Sequence, residues 1–298
     1  MTAQPGWAQQ QGTLATELRL SGHGLHTGRR VNVHISPAPL GQGIVFRRMR
    51  AGRVVAELPA SPQLRLGQPL CTALQSASGV RVRTVEHLLA SLLACQIDHA
   101  TVGLDAEEVP ILDGSALPWI AAIDACGRAA LPAPKRFLRI RRAVTVEDGG
   151  TRRLTVTPAD GYEMDVTNDL KGFGELKWAG TIDPASFATE IAPARSYGRL
   201  KWAVPAIAFG YLRGNPILRG ARPSCTATIV GNGVIGGMRL PMEFVRHRVL
   251  DLIGDLALLG APLLGKVTAL RPSHEMNYRL CAALLDQPDA WEWADTAN

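Results

Sequence analysis

Residues 243–256 read EFVRHRVLDLIGDL and carry a strong amphipathic helical pattern. The pattern predicts a helix over residues 242–259, because apolar side chains recur at intervals of three and four positions. Gly260 follows the last periodic residue and Pro262 lies just beyond it, which is a common way for a helix to end. Leu, Ile and Val cover much of the helix surface, so we expect it to be mostly buried.

A polar stripe interrupts this apolar surface. His247, Asp251 and Asp255 are spaced by four residues and therefore lie on one face of the helix. Buried polar groups need partners. A His and an Asp four residues apart can bind one metal ion, but an ordinary hydrogen-bonded His–Asp pair has the same spacing. The pattern alone leaves both interpretations open.

Glu86 and His87 are a second pair of an acidic residue and an imidazole. They lie near the start of residues 84–96, whose apolar stripe is typical of a helix. Thr84 is a candidate N-cap, and Glu86 and His87 follow it. His87 could be a third metal ligand, with Glu86 beside the metal as a base. The helix N-terminus favours the carboxylate, so we expect Glu86 to be ionised at neutral pH. The alternative is a first-turn Glu that complements the helix dipole above a packed His.

His274 follows Ser273 at the start of the last predicted helix, which runs to about Leu285. If Asp255 lies beside His274, the imidazolium can persist near neutral pH, as a general acid facing an amine requires. A surface His in a capping region is the alternative. Residues 22–28, GHGLHTG, contain an HxxH flanked by glycines. We interpret them as a tight turn that brings His26 near a ligand, rather than as a metal site.

Composition limits the class of protein. Of the 298 residues, 46% are hydrophobic and 19% are charged, which is typical of a globular chain. The net charge of +6 fits either a solvated basic surface or a substrate that carries phosphate. Nucleic acid is not an expected partner, because the Arg residues are scattered and no aromatic platform accompanies them.

The five cysteines are odd in number and form no CxxC pair. They indicate reduced thiols in a cytoplasmic protein, and they argue against a thiolate zinc site. We expect no signal peptide, since no basic segment precedes an apolar one at the N-terminus. No apolar run approaches the ~20 residues that a membrane-spanning helix needs. We also expect a monomer.

The length fits two domains, and the segment Leu131-Pro132-Ala133-Pro134 is the linker candidate. Strand-like and helical segments alternate on both sides of it. The predicted division is an N-terminal domain over residues 1–131 and a C-terminal domain over residues 135–298, with an insert at about 199–237. Residues 1–12 are expected to be a loose tail.

Several motifs in order along the chain are similar to those of the UDP-3-O-acyl-N-acetylglucosamine deacetylase family. The resemblance spans nearly the whole chain from about residue 14 to residue 285. The motifs are GHGLHTG (22–28), GIVFRR (43–48), LCT (70–72), VRTVEHLLA (82–90), PILDGSA (110–116), FLRI (137–140), EFVRHRVLDLIGDL (243–256) and SHEMN (273–277). The resemblance implies an α+β fold of two domains, each a β-sheet layered against helices, with the active site between them. It implies hydrolysis of an N-acetyl group, the committed step of lipid A biosynthesis.

The resemblance assigns the metal and the catalytic groups. His87, His247 and Asp251 would bind one Zn²⁺ ion, with Fe²⁺ as an alternative metal. The catalytic residues would be Glu86 as general base, His274 as general acid oriented by Asp255, and Ser196, which stands where the family has a Thr that steadies the oxyanion.

The resemblance also implies a UDP-linked acylated N-acetylglucosamine as substrate, with binding positions at Cys71, Tyr197, Arg199, Arg248 and His26. Three of these depart from the family. Tyr197 replaces a Phe that packs on the substrate, and Arg248, expected to face the diphosphate, replaces a Lys. Arg199 replaces a second Phe at the mouth of the passage for the acyl chain.

Two segments differ more widely from the family pattern. Residues 200–237 match poorly, and Asp169-Leu170-Lys171-Gly172 stands where the family has FDHP. The alternatives are therefore a diverged deacetylase of another N-acylated nucleotide sugar and a non-catalytic protein that binds such a sugar. The complete set of catalytic and metal residues argues against the second.

Overall fold

The computed structural model describes residues 6–295. The N-terminal half contains two helices, α1 (Glu86–Ala94) and α2 (Leu117–Cys126), among strands. These strands are β1 (Gln10–Leu14), β2 (Leu18–His23), β3 (Arg30–Pro37), β4 (Ile44–Arg50), β5 (Arg53–Pro59), β6 (Arg65–Leu66), β7 (Ala73–Gln75), β8 (Arg81–Arg83), β9 (Ala100–Leu104) and β10 (Arg128–Pro134).

Alternating side chains explain the main N-terminal sheet, whose strand order is β2-β3-β9-β4-β5. Along β3, Val31, Val33 and Ile35 are buried while their neighbours face outward. Ile35 pairs with Val102 of β9 in an antiparallel ladder, and Phe46 of β4 pairs with the same residue in a parallel one. Strands β6, β7 and β8 form a separate small sheet, and β1 pairs with β10.

The C-terminal half contains the helices α3 (Pro184–Ser186), α4 (Leu200–Leu212), α5 (Glu243–Leu256) and α6 (His274–Leu285). Its strands are β11 (Arg136–Ile140), β12 (Val144–Glu147), β13 (Arg153–Thr157), β14 (Tyr162–Leu170), β15 (Gly174–Thr181), β16 (Tyr197–Arg199), β17 (Ala227–Val230), β18 (Gly233–Val234), β19 (Leu263–Leu270) and β20 (Trp291–Asp295). Strand β19 is central to the larger sheet, where it pairs with β13, β11 and β14.

Helices α1 and α5 pack directly against each other. Leu88 and Leu92 of α1 belong to the N-terminal core, whereas Ala90 and Ala94 belong to the core that also contains much of α5. Gly254 permits the close approach, because a Cβ atom there would lie 2.0 Å from the Glu86 carbonyl oxygen. The fold is therefore α+β, with sheets layered against helices in both halves.

The structure confirms three of the predicted helices, with small differences in their bounds. The long helix spans Glu243–Leu256 and continues as a 3₁₀ turn to Leu259. The last helix begins after Ser273, whose hydroxyl accepts a hydrogen bond from the Met276 N–H. The first helix is also present.

The predicted N-cap at Thr84 is wrong. Val85 occupies that position, while Thr84 has a φ of 57° and donates its hydroxyl to Glu108 instead. The Thr84 hydroxyl thus binds the buried Glu108 carboxylate, which is distant in sequence, instead of capping the helix.

The predicted linker lies in a strand, and part of the predicted loose tail does too. Residues 131–134 belong to β10, whose backbone pairs with β1, and residues 10–12 of the expected tail belong to β1. Residues 1–5 lie outside the described part of the chain. The division into 1–131 and 135–298 stays a prediction. Across residues 6–295, no helix is long and apolar enough to cross a membrane.

Candidate active site

The crossing of α1 and α5 brings together three side chains that the sequence separates widely. His87 Nε2 and His247 Nε2 lie 3.7 Å and 3.3 Å from Asp251 Oδ1. The two imidazole ring centres are 5.1 Å apart. All three side chains are buried, and their ligand atoms lie within 4.8 Å of one another. Two imidazoles and one carboxylate converging in this way are a donor set that fits a divalent metal ion.

The protonation states of this cluster suit metal binding. Burial lowers the pKa of His247 to about 4, so its imidazole is neutral and can offer a lone pair. His247 Nδ1 lies 3.2 Å from the Ala194 carbonyl oxygen, which orients Nε2 towards Asp251. Burial would raise the pKa of Asp251, but the neighbouring His247 and His87 hold it well below its usual range. The cluster therefore carries an anionic carboxylate between two imidazoles.

Glu86 lies beside this cluster and is itself buried. The Thr72 backbone N–H donates to its Oε2 at 3.1 Å, and His274 Nε2 lies 3.9 Å from its Oε1. Burial raises the pKa of Glu86 to about 8 among these side chains alone. In the absence of a metal ion, desolvation outweighs the helix N-terminus, so ionised Glu86 at neutral pH stays a prediction for the metal-bound site. A divalent cation at the neighbouring cluster would favour the carboxylate.

His274 has the opposite character. Burial would lower its pKa, but the charge and hydrogen bond of Asp255 overcome that effect and raise the pKa to about 10. The Nδ1 atom lies 2.9 Å from Asp255 Oδ2. The imidazole is thus held as a cation at neutral pH, with Nε2 directed towards Glu86.

Two residues that sequence reasoning missed complete this arrangement. The Thr72 hydroxyl donates to Asp255 Oδ1 and lies 3.2 Å from His274 Nδ1. Asn277 Nδ2 donates to Asp255 Oδ2 at 2.8 Å. Thr72 and Asn277 lie in the LCT and SHEMN motifs, so the motifs pointed to their segments but not to their contacts.

A third missed residue, Glu108, organises the GHGLHTG turn. Its carboxylate accepts the backbone N–H groups of His26 and Thr27 and the hydroxyls of Thr27 and Thr84. His26 is fully buried by this turn, and the Leu218 N–H donates to its Nδ1 at 3.4 Å. Leu25, rather than His26, faces the neighbouring cavity. The turn was predicted, and a direct contact between His26 and substrate stays a prediction.

Ser196, Tyr197 and Arg248 lie beside the metal-ligand cluster. Ser196 is fixed by its backbone, which donates to the Gly114 carbonyl and accepts from the Ala227 N–H. Arg248 donates to the Tyr197 hydroxyl at 3.0 Å and to Asp251 at 3.2 Å. Arg248 therefore links the Tyr197 hydroxyl to the carboxylate of the cluster.

A cavity of about 520 Å³ opens from these groups. One end is polar and contains Glu86, His87, His247, Asp251 and His274. The other end is largely apolar and is built from α4 and the segment that follows it; its lining includes Leu200, Trp202, Ala203, Ala206, Leu218 and Ala221. The volume and the mixed lining suit a ligand with a polar head and an apolar tail.

Arg199 lines the cavity, but its guanidinium is engaged elsewhere. It donates to the Gly231 carbonyl at 2.9 Å and to the Lys171 carbonyl. Lys171 belongs to the turn between β14 and β15, where the motifs depart from the family pattern. The cation thus ties the insert to that turn.

Cys71, another predicted substrate-binding residue, is 2% exposed and does not line the cavity. Gln68 donates to its sulfur at 2.7 Å, and Leu70 faces the cavity beside it. Its contact with substrate stays a prediction.

Metal-dependent hydrolases are the class that this arrangement indicates, since a candidate metal site adjoins one carboxyl and one imidazolium able to exchange protons. The chain belongs to the family described as LpxC: UDP-3-O-acyl N-acetylglycosamine deacetylase, which matches residues 11–286. The relatives it resembles carry the name UDP-3-O-acyl-N-acetylglucosamine deacetylase. That of Cellvibrio japonicus is 36% identical over 95% of this chain and 93% of the relative. That of Pseudomonas entomophila is 38% identical, covering 95% and 92%.

Proposed function

We propose that the chain removes the N-acetyl group of UDP-3-O-acyl-N-acetylglucosamine by hydrolysis and releases acetate, in the biosynthesis of lipid A. The observation that carries the proposal is the buried His87–His247–Asp251 cluster with Glu86 and His274 beside it. Family membership supports the same substrate. So do the names of the relatives, since this chain covers more than 90% of their length.

The metal of the proposal is zinc, held by His87, His247 and Asp251. When bound there, Zn²⁺ supplies Lewis acidity, which lowers the pKa of water and polarises a carbonyl group. Two imidazoles and a carboxylate suit zinc, and Fe²⁺ is the alternative for the same ligands.

The residues around the cluster divide the proton transfers between them. Glu86 accepts a proton from the water that attacks the amide carbon, and the Ser196 hydroxyl donates a hydrogen bond to the oxygen that gains negative charge. His274 donates its Nε2 proton to the amide nitrogen as the carbon–nitrogen bond breaks. The products are acetate and the free amine of the sugar.

The partly apolar lining of the cavity supports a substrate with an acyl chain. The nucleotide-sugar end would meet the polar groups and the cationic Arg248, while the acyl chain would follow the apolar wall of α4. We further propose a monomer in the cytoplasm, because one chain supplies every residue of the site and its five cysteines are free thiols.

The test is amine release from UDP-3-O-acyl-N-acetylglucosamine by zinc-loaded protein. Glu86→Gln should lower kcat by about 10²-fold or more, because it keeps the shape but removes the base. Glu292→Gln, a surface change, is the matched control and should leave turnover unchanged. No turnover from a folded, zinc-bound protein would contradict the proposed substrate and direct the search to other amidosugars.

A further inference from the structure

Helix α4 exposes an unusual amount of apolar surface. Val204, Tyr211 and Leu212 are 70%, 73% and 84% exposed, and Trp202 and Phe209 are also exposed. Within Leu200–Leu212 only Lys201 is charged. A helix that is apolar around most of its circumference is normally buried in a core or in lipid. Patches of this kind mark an interaction surface.

The charge around α4 is as uneven as its hydrophobicity. Residues 191–242 contain no Asp or Glu and seven cations: Arg195, Arg199, Lys201, Arg213, Arg219, Arg222 and Arg239. The rest of the chain carries 25 Lys and Arg against 26 Asp and Glu. The whole excess of positive charge therefore belongs to this one segment, although Arg195 and Arg239 are paired with Glu243 and Asp113.

Cations and aromatic rings share the same surface. Each aromatic ring of α4 has a cation over it: Lys201 lies 5.3 Å from the ring centre of Trp202, Arg213 5.2 Å from that of Phe209, and Arg219 5.5 Å from that of Tyr211. Aromatic and aliphatic groups bracketed by Lys and Arg are typical of helices that lie in the interface of a bilayer.

We propose that α4 and its flanking cations dock the protein on an anionic lipid surface, with the helix lying in the plane of that surface. Thirteen residues extend roughly 20 Å, which is too short to span the hydrocarbon core but sufficient to lie along it. Anionic headgroups would attract the acid-free segment, and the exposed side chains would enter the acyl region.

A second copy of this chain fits the surface less well. In a two-fold symmetric dimer, the α4 surface of one copy would meet the α4 surface of the other copy or the residues around it. Two cationic surfaces without acidic residues would then oppose each other. Anionic lipid complements both its charge and its apolar side chains. The inference does not depend on the proposed reaction, because Val204, Tyr211 and Leu212 lie outside the cavity lining.

The experiment is sedimentation of the full chain with vesicles of phosphatidylglycerol and phosphatidylcholine in equal parts, compared with phosphatidylcholine alone. Binding is expected to the first and not the second, and should fall sharply at about 0.5 M NaCl. Tyr211→Ser with Leu212→Ser should weaken binding about tenfold or more. Lys201→Gln with Arg213→Gln should have an effect of similar size.

The matched control is Val54→Ser with Val55→Ser, which removes two exposed apolar side chains from the edge strand β5. It should bind as the parent does, within about twofold. The thermal midpoint of each variant reports folding. Val204→Ser replaces Tyr211→Ser with Leu212→Ser if that double variant unfolds.

Three results would overturn the proposal. The parent chain fails to bind anionic vesicles at low salt, or the β5 variant loses as much binding as the α4 variant. In the third, the parent chain binds no vesicles, and light scattering finds that it is a dimer. If Tyr211→Ser with Leu212→Ser then makes the chain monomeric, the surface would be assigned to a second copy.

Discussion

At the residue level, Glu86 and His274 lie close together but have their pKa values raised for different reasons. Burial raises that of Glu86 to about 8, whereas Asp255 raises that of His274 to about 10 despite burial. A base must be deprotonated and an acid protonated, so the proposed reaction needs a pH between the two values. Bound metal would lower the Glu86 value and widen this range.

We therefore expect a bell-shaped dependence of kcat/KM on pH, with Glu86 on the acid side and His274 on the basic side. Asp255→Asn removes the anion that holds the His274 proton, so the basic limb should move to lower pH by about one unit or more. Asp289→Asn, an exposed change, should leave the profile where it is. An unmoved basic limb in the Asp255 variant would assign that limb to another group.

Thr72 offers a second prediction at this level. Its hydroxyl contacts both Asp255 and His274 Nδ1, so Thr72→Val should disturb the orientation of His274 and lower kcat by about tenfold. Thr72→Ser keeps the hydroxyl and should retain most of the activity. If the two variants have equal activity in steady-state assays, the hydroxyl has no part in positioning His274.

Local patterns in the sequence predicted residues on one element and missed contacts between elements. The spacing of His247, Asp251 and Asp255 placed them on one face of a helix, and the structure confirms that helix. Thr72 lies 183 residues from Asp255, and its role depends on how the segment just before β7 meets α5. No helical or strand period encodes such a contact, so only the motif resemblance pointed to its segment.

At the level of elements, the site depends on how closely α1 can approach α5. Gly254→Ala would add a Cβ atom 2.0 Å from the Glu86 carbonyl oxygen. The gain in helix propensity is only about 1 kcal/mol, while overpacking backbone costs about 3 kcal/mol. We expect the thermal midpoint to fall by about 5 °C and kcat to fall with it, because Glu86 and His87 must move.

Gly103→Ala is the control for this change, since its Cβ atom would meet only the His34 carbonyl oxygen at an ordinary 3.5 Å. Calorimetry should find this variant close to the parent. A Gly254 variant as stable and active as the parent would mean that the two helices can separate without cost.

At the level of the whole molecule, a metal held by His87 of α1 and by His247 and Asp251 of α5 would join elements from both hydrophobic cores. Zinc at 100 times its Kd would stabilise the fold by about 2.7 kcal/mol. Chelation should therefore lower the thermal midpoint by about 5 °C. His247→Ala should abolish this response, and His34→Ala, at a half-buried histidine of β3 away from the cluster, should keep it. A midpoint indifferent to chelator in the parent would contradict metal binding at this cluster.

The contact between Arg199 and the Lys171 carbonyl has a consequence for substitutions in the two segments that it joins. The resemblance implies that both segments differ from the family pattern, and the guanidinium physically joins them. Arg199→Phe alone would leave the carbonyls of Lys171 and Gly231 without this donor. We expect substitution towards the family pattern in one segment alone to lower the free energy of unfolding more than substitution in both segments together. A double-mutant cycle on the free energy of unfolding can measure this difference. If so, the cavity wall at Arg199 and the distant turn at Lys171 are coupled, and a redesign of either segment has to change both.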